Sequence, residues 1–181
     1  ERTRRTSPEE SLPLTFLAIL GRPATVHELA ALQGEESRRV VAQLSALERR
    51  QVVHVTHRLA GRSYDFIHDI ARDAFYESIE TSERVRLHAV CGDFLEQRAG
   101  LREGAIDPEE LLRHFSRAGD RDKALQYAVR AGDEASSVHA NHRAQAAYSS
   151  ALELLPPGSA RWRELLQRIA QLRILTGDYE A

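Results

Sequence analysis

The stretch "VVHVTHRLAGRSYDFIHDIARDAFYESIE", Val52 to Glu80, is where the hydrophobic period of the chain changes. "VVHVTH" and "SYDFIH" are short runs rich in β-branched and aromatic residues. They are joined by "RLAGR" with Gly61 in the connection, the signature of a β-hairpin. After Ile67-His68-Asp69 the apolar spacing turns helical at once. Asp69 is placed to cap a helix starting at Ile70, which leaves His68 just ahead of a helix N-terminus. Unpaired N–H groups and the helix dipole favour an anion there, and an imidazole can donate to a phosphate oxygen. Arg72 and Tyr76 extend the same face at i+4 and i+8. Ile70, Ala71, Ala74, Phe75 and Ile79 are expected to fill the opposite, buried side.

Three helical patterns precede the hairpin. "SPEESLPLTFLAILGRP" has cap-like Ser7 and Pro8, an apolar cluster from Leu14 to Leu20, and a stop at Gly21 and Pro23. Pro13 is tolerable only within the first turn or two, so that boundary is loose. "TVHELAALQG" sets Thr25 as N-cap with Glu28 three residues on, a capping box, and Gly34 as its stop. "EESRRVVAQLSALERRQ" follows, with Val40, Val41, Leu44 and Leu47 at helical spacing. Helix, helix, helix, two-stranded wing, helix is the order of a winged-helix domain, over residues 8–80.

Composition sets the frame. The 181 residues carry a net charge of -2, with 42% hydrophobic, 29% charged and 6% aromatic residues. That balance suits a helix-rich protein packed with Leu, Ala, Val and Ile, and no global field invites nucleic acid or anionic lipid. The single Cys91 excludes an internal disulfide and fits a reducing, cytoplasmic setting. No apolar run approaches the length of a membrane span, and no signal peptide is visible. The opening "ERTRR" and closing "TGDYEA" read as interior sequence, so the chain is expected to be a fragment of a larger protein.

From Ser82 onward every pattern is helical. Residues 81–106 read as a linking helix, with Leu87, Val90, Cys91, Phe94 and Leu95 on one stripe, and the Gly-punctuated loop "GLREGAID". Asp107-Pro108 opens the next helix with an N-cap and a proline at its first position. Helices are predicted over Arg121 to about His139, Asn141 to Leu155 and Ala160 to Thr176, with the sharpest break at Pro156-Pro157-Gly158. "LLRHFSRAGDRDKALQYAVRA" carries Leu111, Leu112, Phe115, Gly119-Asp120, Ala124, Ala128 and Ala131. "RAQAAYSSALELLP" repeats its second half at Ala144, Tyr148, Ala151 and Pro156. This half, 107–181, resembles tetratricopeptide (TPR) repeats, whose small residues let helices approach closely. The Ala124-to-Ala144 spacing of 20 residues departs from a regular array, so one long helix is expected to serve two successive pairs. A further unit starts with "ELLQRIAQLRILTGDYEA" and its Gly177-Asp178-Tyr179 turn. Its apolar face needs more repeats to cover it.

"FIHDIARDAFYESI" on a winged helix, followed by a helical arm, resembles the signal-transduction ATPases with numerous domains (STAND), which include bacterial regulators. Ile67-His68-Asp69 is similar to their hydrophobic-His-Asp motif, and Phe66, His68, Arg72 and Tyr76 match a wider F-x-H-x-x-x-R-x-x-x-Y pattern. The resemblance implies a nucleotide-phosphate-sensing set of His68, Asp69 and Arg72, in which His68 reads the β-phosphate of ADP held by a neighbouring nucleotide-binding domain and Asp69 fixes the turn that aims it. No G-x-x-x-x-G-K-[ST] occurs in the chain, so the piece is expected to be non-catalytic and to hold no cofactor itself, with ADP or ATP belonging to the parent. The arm is expected to bind a protein or peptide. The parent reads as a transcriptional regulator, with a signalling kinase or cyclase as the alternative output.

Blander readings stand beside these. His68 could simply tie the wing to the helix, and Arg72 reads first as the partner of Asp69 or Asp73. A plain interaction scaffold is the second reading of the whole. DNA binding through Arg38, Arg39, Arg49 and Arg50, with His57, Arg58 and Arg62 on the wing, is opposed by Glu35, Glu36 and Glu48 around the same helix. The pairs His54/His57 and His139/His142 lack a third metal ligand in sequence. Cys91 reads as a core residue, and Trp162 and Tyr148 as repeat packing.

Overall fold

The computed structural model of the chain describes residues 8–58, 61–101 and 107–176. The chain is mainly helical. Among the described residues nine helices accompany one small, three-stranded antiparallel sheet. It divides into two compact units, Glu1–Cys91 and Gly92–Ala181.

The first unit is built around α1 (Pro8–Leu20), which carries Pro13 in its second turn. Its second half is apolar on every side: Leu14, Phe16, Leu17, Ala18, Ile19 and Leu20 are all buried. A helix with no polar stripe has to be surrounded, and α2 (Val26–Gln33), α3 (Ser37–Arg49), α4 (Asp69–Ser78) and a strand of the sheet all pack on it. Gly21 ends α1 with a left-handed φ of 63°. The capping box of α2 forms as its sequence dictates. The Thr25 hydroxyl accepts from the Glu28 amide at 3.2 Å, and the Glu28 carboxylate accepts from the Thr25 amide at 2.9 Å. Gly34 closes α2 in the left-handed conformation. On α3 the buried face is Val40, Leu44 and Leu47, while Val41 points out, 42% exposed.

The hairpin pairs β2 (Val53–Arg58) with β3 (Gly61–Phe66), from Val53 opposite Phe66 to Arg58 opposite Gly61. The strands therefore run further into "RLAGR" than the sequence suggested. Leu59 and Ala60, at the tip, lie outside the described residues. A two-residue strand, β1 (Ala24–Thr25), adds to the other edge of β3 and puts β3 in the middle. No period-2 signal can reveal so short a strand.

Helix α5 (Thr81–Leu101) buries Leu87, Cys91 and Leu95, with Val90 and Phe94 half-buried. In the second unit α6 (Pro108–Ala118), α7 (Arg121–Ser137), α8 (Asn141–Glu153) and α9 (Ala160–Thr176) each pack on the next. Helix α7 packs on both α6 and α8, as the short Ala124-to-Ala144 spacing requires. Ala128, Ala135, Ala144 and Ala151 surround Tyr148, with Leu165, Ile169 and Leu172 from α9. Small side chains set the close approach. A Cβ on Gly132 would stand 2.3 Å from the Tyr148 ring, and one on Gly92 would stand 2.9 Å from Phe115.

Of the residues expected to pack the repeats, Leu111, Phe115, Ala124, Ala128, Ala131, Ala144, Tyr148 and Ala151 are buried. Two act otherwise. Gly119 contributes conformation rather than contact: it ends α6 at φ 76°, and nothing lies within 4 Å of where its Cβ would be. Pro156 is exposed, and its carbonyl accepts from the Ser159 amide in the turn before α9. Residues 102–106 of the expected loop, and the Gly177-Asp178-Tyr179 turn, lie outside the described residues. On α9, Leu166, Ile174 and Leu175 are exposed, by 43%, 61% and 72%. No helix among the described residues is long and apolar enough to cross a membrane.

Candidate functional site

The junction between β3 and α4 forms one corner of the first unit. Strand β3 stops at Phe66, and Ile67 is held by a hydrogen bond from its amide to the Val52 carbonyl at 3.1 Å. The helix then begins one residue earlier than the sequence suggested. His68 itself is the N-cap (φ -127°, ψ 127°), its carbonyl accepting from the amides of Ala71 and Arg72. Asp69 is the first helical residue, not the cap. The imidazole makes no capping hydrogen bond and is exposed, so its ring is available to something outside the unit.

Asp69 and Arg72 work as a pair. The guanidinium of Arg72 lies 3.1 Å from the Asp69 carboxylate and 3.5 Å from that of Asp73. The Arg72 side chain is 21% exposed, against 81% for Asp69. Arg72 is thus a brace on the first turn and does not reach outward beside His68. An acid in the first turn also suits the helix dipole.

The faces of α4 differ from expectation in part: Phe75 and Ile79 lie inward as expected, but Arg72 and Tyr76 join them there. Arg72, Phe75, Tyr76 and Ile79 are half-buried, at i, i+3, i+4 and i+7, on the side that packs against α1. Phe75 meets the buried Phe66 with ring centroids 6.0 Å apart. Ile70, Ala71 and Ala74, expected inside, face solvent instead, and Ile70 is 84% exposed. With Phe66 and Ile67 they line an open cleft of about 860 Å³, whose polar members are His54, Asp65, His68 and Asp69. The cleft therefore offers an apolar floor with two imidazoles and two carboxylates. A helix with Ile70, Ala71 and Ala74 towards one side and Phe75 towards the other cannot announce from its own spacing which side is inside; the arginine and tyrosine settle it by finding partners there.

Tyr76 shows what those partners are. Its hydroxyl lies 3.0 Å from Nε2 of His88 on α5, a fully buried residue that the sequence reading did not single out. The guanidinium of Arg84 stands over the Tyr76 ring, 5.1 Å from its centroid, and reaches Glu77 at 2.7 Å. Of the four pattern residues Phe66, His68, Arg72 and Tyr76, only the histidine is exposed.

The arginines considered for nucleic acid are partly neutralised in place. Arg39 pairs with Glu35 at 2.9 Å, and Arg62 lies 3.6 Å from Glu48. In the second unit the charged groups brace helices. Lys123 donates to Asp93 and Glu96, at 2.7 and 2.8 Å, and those hydrogen bonds raise its pKa. Tyr127 donates to Glu96 at 2.7 Å; burial, then that carboxylate, push its phenol up to about 12. Tyr148 donates to Asp133 at 2.6 Å and is likewise raised, by burial first and then by Asp133. Arg168 joins the same group, 2.6 Å from Asp133. Every member serves a neighbour across a helix interface. Comparison of the chain with protein-family models, with curated proteins and with solved structures finds no match.

Proposed function

We propose that the chain is the non-catalytic regulatory part of a bacterial STAND-type ATPase, in which a winged-helix domain reads the nucleotide state and a TPR-like arm binds partners or effectors. The order α1, β1, α2, α3, β2, β3, α4, with the hairpin against the helices, supports the winged-helix reading. Consecutive packing of α6 to α9 around alanines supports the repeat reading. One observation carries the functional step: at the N-terminus of α4 an exposed imidazole, unused in capping, borders an apolar cleft that a second domain can fill. A neighbouring nucleotide-binding domain seated there would bring its ADP phosphates to His68. Asp69, held by Arg72, keeps the turn rigid. The parent is read as a transcriptional regulator.

The test is His68→Ala in the full-length protein, with purified material assayed for bound ADP and for basal activation. Loss of ADP retention with raised basal activity is expected. Unchanged ADP occupancy would overturn the switch and leave a protein-interaction scaffold.

A further inference from the structure

Helices α4 and α5 meet at an open corner. Helix α4 packs closely on α1 and β3, but its backbone scarcely approaches that of α5. What spans the gap is side chains. The Tyr76 hydroxyl is hydrogen-bonded to the fully buried His88, and the two rings meet edge to face with centroids 5.9 Å apart. Arg84 covers the other side of the Tyr76 ring and closes on Glu77 at 2.7 Å, while its second terminal nitrogen reaches the Thr81 hydroxyl at 3.2 Å. Two residues of α5, Arg84 and His88, thus grip two of α4, Tyr76 and Glu77, and Thr81 steadies Arg84 from within α5.

We infer that Tyr76, Arg84 and His88 form a latch that fixes the angle between α4 and α5, and that a displacement of α4 reaches the rest of the chain through it. The geometry favours a latch over ordinary packing, because few backbone contacts would hold the angle if these side chains let go. Tyr76 is joined at its hydroxyl and its ring, so its position, and with it the pitch of α4, follows His88 and Arg84. At the other end of the same helix stands His68, ten residues of α4 away from α5. Helix α5 continues past the first unit to Leu101. The relay therefore rests on the reading of His68 given above, but the latch itself does not.

The two parts are tested separately. In the chain as it stands, Tyr76→Phe combined with Glu77→Gln removes the hydrogen bond and the ion pair while keeping ring and volume. Amide exchange in the first two turns of α5 should then accelerate roughly threefold to tenfold, the weight of one or two partly buried hydrogen bonds. Unchanged exchange would overturn the latch. In the full-length protein the same double variant should keep the wild-type level of bound ADP and lose most of its activation response. Activation that persists, or ADP that falls in step with it, would overturn the relay. His68→Ala changes ADP retention itself, so failure of that experiment removes the nucleotide reading and leaves the exchange result to decide the latch alone.

Discussion

His68 and Gly132 illustrate opposite uses of one residue. His68 spends its backbone on the helix and leaves its ring free of the fold. Replacing it with alanine should leave the melting temperature within the shift of a surface substitution, about 0.5 kcal/mol or less, by thermal denaturation monitored by circular dichroism. A large loss would mean that the ring is structural. Gly132 has no such freedom. In an open helix, alanine would stabilise by up to about 1 kcal/mol relative to glycine. Here the added methyl would sit 2.3 Å from a Tyr148 ring that its own hydrogen bond to Asp133, at 2.6 Å, keeps from swinging away. Overpacking of this kind costs about 1–3 kcal/mol, so Gly132→Ala should lower the melting temperature by several degrees. A neutral or raised value would mean that α7 and α8 can separate.

Among the elements, α2 is the one whose ends are written most fully in its sequence. Thr25, Glu28 and Gly34 each do what a cap or stop residue does. Thr25→Ala should cost about 1 kcal/mol, seen as a lower denaturant midpoint with an unchanged slope. Local signals of this kind read well because each involves backbone groups within a few residues. The hairpin was legible for the same reason, and so were the starts of α6 to α9. The full inner face of α4 was not. Its orientation depends on contacts with other elements, with α1 about fifty residues upstream, with Phe66 at the end of β3 and with His88 on α5, and both of its sides are apolar enough to satisfy a helical period. Arg72 at i, with Phe75, Tyr76 and Ile79 at i+3, i+4 and i+7, was nonetheless a readable stripe. Polarity made Arg72 and Tyr76 look like surface and split them from Phe75 and Ile79, which were expected inside. Arginine and tyrosine bury long apolar bodies while their polar tips find partners, here Asp69 and His88. His88 was equally hidden: a histidine on an apolar stripe has no sequence mark that separates a buried partner from a solvated side chain.

At the scale of the molecule, charge is spent locally. A net charge of -2 leaves no field to organise binding, and ion pairs such as Arg39–Glu35, Arg84–Glu77 and Arg168–Asp133 use their charges over short distances. Exposed pairs such as Arg39–Glu35 contribute little to stability at neutral pH. The alkaline limb differs. Tyr127 is held up to about 12 against an ordinary 10.0, and Tyr148 is raised in the same direction. A raised folded-state pKa means that the native phenol keeps its proton longer than the unfolded one. The corresponding stability is complete below pH 10, and is lost progressively as pH rises from there through about 12. Tyr127→Phe removes one such group along with its hydrogen bond to Glu96. The variant should be less stable than wild type at pH 8, and the gap should narrow between pH 10 and pH 12, measured by urea titration at each pH. A gap that stays constant across that window would show that the Tyr127 proton is no more tightly held in the folded protein than in the unfolded chain, and that the Tyr127–Glu96 bond is open to water.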